Sequence, residues 1–94
     1  MTVYAIVQVD VKDAAEYAKY AELAGPAVAQ YGGEFLARGG ETVVMEGKSR
    51  SRNVIIRFPN MKTAKSFYEG PEYQKALSHA LPVADRDYFF VEGV

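Results

Sequence analysis

The stretch Val3 to Val11 constrains the fold more than any other part of this chain. Val3, Ala5, Val7, Val9 and Val11 alternate with Tyr4, Ile6, Gln8 and Asp10. β-Branched residues at a period of two specify a strand, and the first set of side chains belongs in a core. The second set is neither a solvated row nor a dry one. A sheet built on this strand therefore has one face under other elements and a second face that needs an occupant. The chain has 94 residues, which makes residues 1–94 a single domain with one core. At this mass, roughly 64% of the unfolded chain's surface is buried on folding, enough to fold without staples.

Asp13 with Glu16 three residues later has the form of a capping box. Tyr17, Ala21, Ala24, Val28 and Tyr31 follow at helical spacing. Gly25-Pro26 predicts a kink in this helix, because Pro26 cannot donate to the Glu22 carbonyl, and Gly32-Gly33 supplies its end. Glu34 to Arg38 and Thr42 to Glu46 read as two short strands joined by Gly39-Gly40-Glu41, an antiparallel hairpin. At least one of Gly32, Gly33 and Gly40 is expected at positive φ.

Lys48 to Arg52 reads as a polar loop and Asn53 to Phe58 as a strand, with Val54, Ile56 and Phe58 facing inward. Asn60 is the expected cap of a second helix that buries Ala64, Phe67 and Tyr68. Pro71 opens a third, with Tyr73, Leu77 and Ala80 or Leu81 on its stripe, and Pro82 closes it. Asp85-Arg86-Asp87 reads as a solvated turn, and Tyr88 to Val94 as the last strand. The order is βαββαβ, with the second strand split by a turn. This is an α+β, ferredoxin-like pattern: an antiparallel sheet with helices on one face only. Its other face would carry Tyr4, Ile6, Ile55 and an aromatic from the last strand, more apolar surface than a monomer usually exposes. A second copy of the chain is the expected cover, making a homodimer.

Composition removes several functions. There is no cysteine, so disulfides, thiolate metal sites and cysteine nucleophiles are excluded; one histidine rules out a histidine metal cluster within the chain. A formal net charge of −1 gives no basic excess to hold nucleic acid, and Asn53 to Arg57 displays no aromatics for base stacking. No apolar run reaches the length of a membrane span. The start MTVYAIVQVDV lacks the positive region of a signal peptide, and the expected location is the cytoplasm. The serines lack the strand-turn-helix setting of a nucleophile elbow.

The densest motif is Leu36-Ala37-Arg38-Gly39-Gly40 followed by Glu46-Gly47. Arg38 is a candidate clamp for a carboxylate, with Gly39 and Gly40 admitting the ligand to the backbone and Glu46 as an acid or base. Hairpin ion pairing of Arg38 with Glu46 or Glu41 explains the same residues. His79 is the sole candidate for imidazole catalysis, although its place beside a helical apolar stripe equally suits packing. Tyr73 belongs to a core stripe first, with a hydroxyl that can reach a ligand.

Tyr31 to Gly40, Met45-Glu46-Gly47, Val54 to Pro59, Phe67 to Gln74 and Val91-Glu92-Gly93 together resemble small bacterial proteins known as domain of unknown function 1330, within the dimeric α/β-barrel superfamily. The resemblance spans nearly the whole chain. It implies a ferredoxin-like protomer whose sheet packs on a second sheet to form a dimeric α/β barrel, with a cleft between sheet and helices. It implies no set reaction, since the superfamily includes cofactor-free monooxygenases, haem-degrading enzymes, lactone isomerases and stress-response proteins. Gly70 stands where the family usually has Ser, and Ser78-His79-Ala80 occupies the region of a family arginine; an anion clamp would then use Arg86 or His79.

Three functions are compatible with these features. The first is an enzyme without cofactor or metal that acts on a small carboxylated or phenolic molecule, Arg38 orienting it and Glu46 or His79 moving a proton. The second is a small-ligand-binding or stress-response dimer. The third is an assembly element with a filled interior.

Overall fold

The computed structural model describes residues 1–94. The elements are β1 (Val3–Val11), α1 (Ala14–Gln30), β2 (Glu34–Arg38), β3 (Arg52–Phe58), α2 (Met61–Glu69), α3 (Pro71–Ala80), a 3-10 turn (Leu81–Val83) and β4 (Ala84–Glu92). The strands form one sheet in the order β2-β3-β1-β4, antiparallel at every pairing. This is the ferredoxin-like α+β arrangement.

Local chemistry sets the boundaries. The Asp13 carboxylate accepts from the Glu16 N–H at 3.1 Å and starts α1. Asn60 does the same for α2 through the Thr63 N–H at 2.8 Å, and Pro71 opens α3. α1 continues through Pro26 and ends at Gly32, whose φ of 74° is a left-handed conformation that suits glycine. Gly33 next to it has no room for a side chain: a Cβ there would lie 2.7 Å from Val28 Cγ1 and 2.8 Å from Phe58 Cε1.

Val3, Ala5, Val7 and Val9 of β1 and Val54, Ile56 and Phe58 of β3 are buried under the helices. They meet Ala24, Ala27 and Val28 of α1, Ala64 and Phe67 of α2, and Tyr73, Ala76, Leu77 and Ala80 of α3. Phe67 links the layers, with ring centroids 5.0 Å from Phe58 and 4.7 Å from Tyr73. The opposite face of the sheet has no helix over it and carries Tyr4, Ile6, Ile55, Phe89 and Val91.

Two expectations are corrected. Thr42 to Glu46 forms no strand. Gly39, at φ 72°, turns the chain toward β3, where its N–H donates to the Asn53 carbonyl. The Asn53 amide then holds Thr42 and Ser49 at 3.1 and 3.0 Å, so the segment is drawn across the end of the sheet instead of back along β2. Second, β4 begins at Ala84 and not at Tyr88, so Asp85-Arg86-Asp87 is strand and not turn. The expectation of a positive φ among Gly32, Gly33 and Gly40 holds at Gly32, and Gly39 and Gly47 have positive φ as well, whereas Gly40 meets nothing within 4 Å.

Gly33→Val should therefore destabilise the fold by about 1 to 3 kcal/mol, lowering Tm by on the order of 10 °C. Gly40→Val should stay within about 0.5 kcal/mol of the parent. Thermal melts of the two variants side by side check the difference.

Candidate functional site

Two rows of side chains cross the helix-covered face near one end of the sheet. Pairing aligns Arg38 of β2, Val54 of β3, Val7 of β1 and Tyr88 of β4 in one row, and Arg52, Val9 and Arg86 in the next. Arg38 reaches this face because a bulge lies between Phe35 and Ala37. Without it, strict alternation from inward-facing Phe35 would turn Arg38 to the open face. Its guanidinium instead lies 4.1 Å from the Phe35 ring centre, a cation–π contact, and reaches toward Gly25 of α1. The Arg52 guanidinium packs over Gly39, where any Cβ would collide with it.

Between these arginines and α1 is a narrow cleft of about 40 Å³, with Tyr17, Tyr20, Phe35, Phe67 and Tyr73 among its mostly apolar lining. That volume holds one or two waters. A larger guest would enter by displacing the long arginine side chains at the rim.

Behind Tyr20 and Tyr73 stands Arg86. One Nη2 of its guanidinium donates to Tyr20 Oη at 2.8 Å and to Tyr73 Oη at 3.2 Å, and the two hydroxyls are 3.0 Å apart. The guanidinium also lies over the Tyr20 ring at 4.6 Å and near that of Tyr88 at 5.6 Å. No carboxylate forms an ion pair with Arg86, Arg38 or Arg52; the ion pairs of the molecule lie elsewhere.

A proton count shows what this cluster lacks. Each tyrosine hydroxyl has one proton to give. One proton spans the Tyr20–Tyr73 contact, and the other of that pair has no acceptor in the protein. Arg86 Nε–H and Tyr88 O–H are also buried without a partner. Three donors in this cluster thus have no acceptor within the protein.

Burial pushes Tyr73 up to about 12, helped by the neighbouring Tyr88 and opposed by Arg86. Tyr20 and Tyr88 are raised as well, burial again the largest cause. Burial works against the charge of Arg86, but the tyrosine oxygens more than offset it and its pKa lies above the usual value. The cluster is thus a permanent cation among neutral phenols.

Of the residues singled out from sequence, Arg38 and Tyr73 line the cleft and Gly39 sits at its rim. Gly40 and Glu46 lie on the exposed loop between β2 and β3, outside the lining, and Arg38 pairs with neither Glu41 nor Glu46. His79 Nδ1 lies 3.0 Å from Glu16 Oε1, tying α3 to α1 away from the cleft. The hydrogen bond to His79, then that to Lys19, holds the Glu16 carboxyl below its usual pKa. Tyr20, Arg52 and Tyr88 were missed as site residues. Alternation extended back through β4 would have placed Arg86 and Tyr88 on one face, the signal that the turn assignment concealed. No group of three or more His, Asp or Glu side chains is placed to hold a metal ion, and no helix is long and apolar enough to cross a membrane.

Fold and site together define a ferredoxin-like α+β domain with a donor-rich cleft under its helices. The chain belongs to the family Domain of unknown function (DUF1330), whose model matches residues 2–94. No curated protein sequence matches it. Among solved structures, a protein of unknown function from Rhodopseudomonas palustris superposes with a TM-score of 0.79 at 18% identity, covering 99% of this chain and 82% of the other. A dimeric ferredoxin-like protein of unknown function from Jannaschia sp. CCS1 gives 0.72 at 12% identity, covering 99% and 100%. SnoaB, a cofactor-independent oxygenase from Streptomyces nogalater, gives 0.68 at 9% identity, covering 99% and 93%. At these identities the likeness is one of fold.

Spectrophotometric titration of the seven tyrosines should show a late group comprising Tyr20, Tyr73 and Tyr88. A phenol whose folded pKa is raised favours the folded state fully below its unfolded pKa, and that contribution is lost as pH rises. Stability should accordingly fall from about pH 10 upward, with the late phenols ionising as the protein unfolds. Complete ionisation near pH 10 with no loss of structure would contradict the buried cluster.

Proposed function

We propose that this protein is a homodimer that binds a small carboxylated or phenolic molecule in the cleft between its sheet and α1. The observation that carries the reading is the unanswered donor set: one of the Tyr20–Tyr73 protons in the cleft wall, Arg86 Nε–H and Tyr88 O–H behind it, and Arg38 and Arg52 in the lining without acid partners. A carboxylate or phenolate oxygen is the acceptor that such a set matches. Apolar walls suit an organic body behind the anion, and Arg38 and Arg52 at the rim attract the charge and close over it. Glu46 and His79 stand outside this site.

The same array favours a second reading, in which the bound molecule reacts. Preorganised donors stabilise negative charge that develops on an oxygen, as in the enolate or phenolate of an activated substrate. The cofactor-independent oxygenase SnoaB has the same fold, which agrees with chemistry of that kind without a bound cofactor. Mass spectrometry of each binding acid after incubation in air separates a binder from an enzyme.

The homodimer follows from the open face. Tyr4, Ile6, Ile55, Phe89 and Val91 form an apolar patch, with Phe89 51% and Val91 47% exposed. Packing two such faces together is the economical cover, and the protein from Jannaschia is described as dimeric. Light scattering over a dilution series should give twice the chain mass at micromolar concentration. A persistent monomer that binds no apolar dye would overturn it.

A panel of small aromatic and aliphatic acids, screened by thermal shift, tests the cleft. An acid at ~100 times its Kd adds roughly 2.7 kcal/mol, a shift on the order of 10 °C for a domain this size. Arg86→Met should abolish the shift and Arg38→Met should reduce it, while His79→Ala and Glu46→Gln leave it in place. Retention of the full shift in Arg86→Met would refute the site.

A further inference from the structure

We infer that residues 42–46 of one copy form a strand on the free edge of β4 in the second copy, and that the exchange is reciprocal. The inference rests on the homodimer proposed above and adds a backbone connection to it. Thr42-Val43-Val44-Met45 has the composition of a strand. Yet no backbone–backbone hydrogen bond in the molecule involves residues 40–50. Val43, Val44 and Met45 are consecutive, apolar and 69%, 51% and 85% exposed.

This segment is presented and not merely loose. At its base the Gly39 N–H is bound to the Asn53 carbonyl, and the Asn53 amide reaches both Thr42 and Ser49. On the returning arm, Arg50 donates to Asp10 at 2.9 Å and Asp87 at 2.8 Å, and the Ser51 N–H donates to Asp10 at 2.9 Å. Asp10 and Asp87 project from the open face of the sheet, since the rows beside theirs, Val9 with Arg86 and Val7 with Tyr88, face the helices. The arm is therefore fastened against the end of the very face that the second copy covers, with residues 43–48 held clear of the body.

The sheet order β2-β3-β1-β4 leaves two free edges. β2 is short, with five residues and a bulge, both features that blunt an edge against pairing. β4 has nine residues and pairs with β1 in unbroken register, so its outer edge is long and regular. Phe89 and Val91 stand half exposed on it and match the apolar character of the segment. Strand addition satisfies main-chain groups on both sides and buries both sets of apolar side chains. A two-fold axis makes the exchange mutual and closed, which limits it to two chains.

Hydrogen exchange on the unmodified protein, read by NMR at concentrations above and below dimer dissociation with light scattering on the same samples, tests this. In the dimer, amides of residues 43–45 and the outward amides of β4 should exchange at least tenfold more slowly than in the monomer. Fast exchange at residues 43–45 in a sample that scatters as a dimer overturns the exchange and leaves the dimer standing. Slow exchange that persists in the monomer also overturns it, because the partner would then lie within the same chain. Absence of any dimer overturns both. As a second measurement, Val44→Pro, which removes an amide from the exposed tip, should weaken dimerisation at least tenfold without changing the far-ultraviolet spectrum of the monomer; unchanged dimerisation argues against the added strand.

Discussion

The structure depends on the inward row of β1. Val3, Ala5, Val7 and Val9 lie in the central part of the sheet, each 3% exposed or less, with β3 on one side and β4 on the other. Burial of each valine contributes about 1.5 to 3 kcal/mol. Because the helices all cover that one face, the alternation that buries these residues also commits Tyr4 and Ile6 to the other. The core and the uncovered face are two consequences of one period of two.

The same row fixes the cleft. Val9 pairs with Arg52 on one side and Arg86 on the other, so two arginines on different strands share a row about 10 Å apart, two strand spacings. The bulge in β2 brings Arg38 to the neighbouring row. Positive charge and phenol hydroxyls accumulate at one end of an otherwise apolar layer. Arg86 remains charged there because Tyr20 and Tyr73 accept from it, while its Nε–H stays unmatched. An unsatisfied buried donor costs about 1 to 3 kcal/mol, so this array lowers the stability of the fold that carries it.

Much of the architecture was legible from residues near one another in sequence. Alternation marked β1 and β3, Asp13 and Asn60 marked two helix starts, and Pro71 marked a third. These signals are local: caps, proline geometry and periodicity act within a turn or a strand. The order of elements then left the ferredoxin-like sheet as the arrangement that covers one face. Arg38 and Tyr73 were singled out on residue chemistry alone, and they lie in the lining of the cleft. Glu46 and His79 were named on the same grounds and lie apart from it, because chemistry by residue type carries no information on distance.

What the sequence determined by itself is the three helices, the strands β1 and β3, the identity of the core row and the apolar character of the second face, all of which follow from side-chain period and backbone preference. Only the tertiary structure decided the side to which Arg38 turns, since a bulge is a matter of pairing between strands and reverses alternation without altering composition. It also decided that Arg86 lies inside, because the charged neighbours Asp85 and Asp87 look like a solvated turn until pairing with β1 extends β4 through them. Finally, it left Thr42 to Glu46 unpaired despite a strand-forming sequence. A strand needs a partner edge as well as the right residues, and hydrogen bonds from Asn53 to Thr42 and Ser49 carry this segment away from the edges within its own chain.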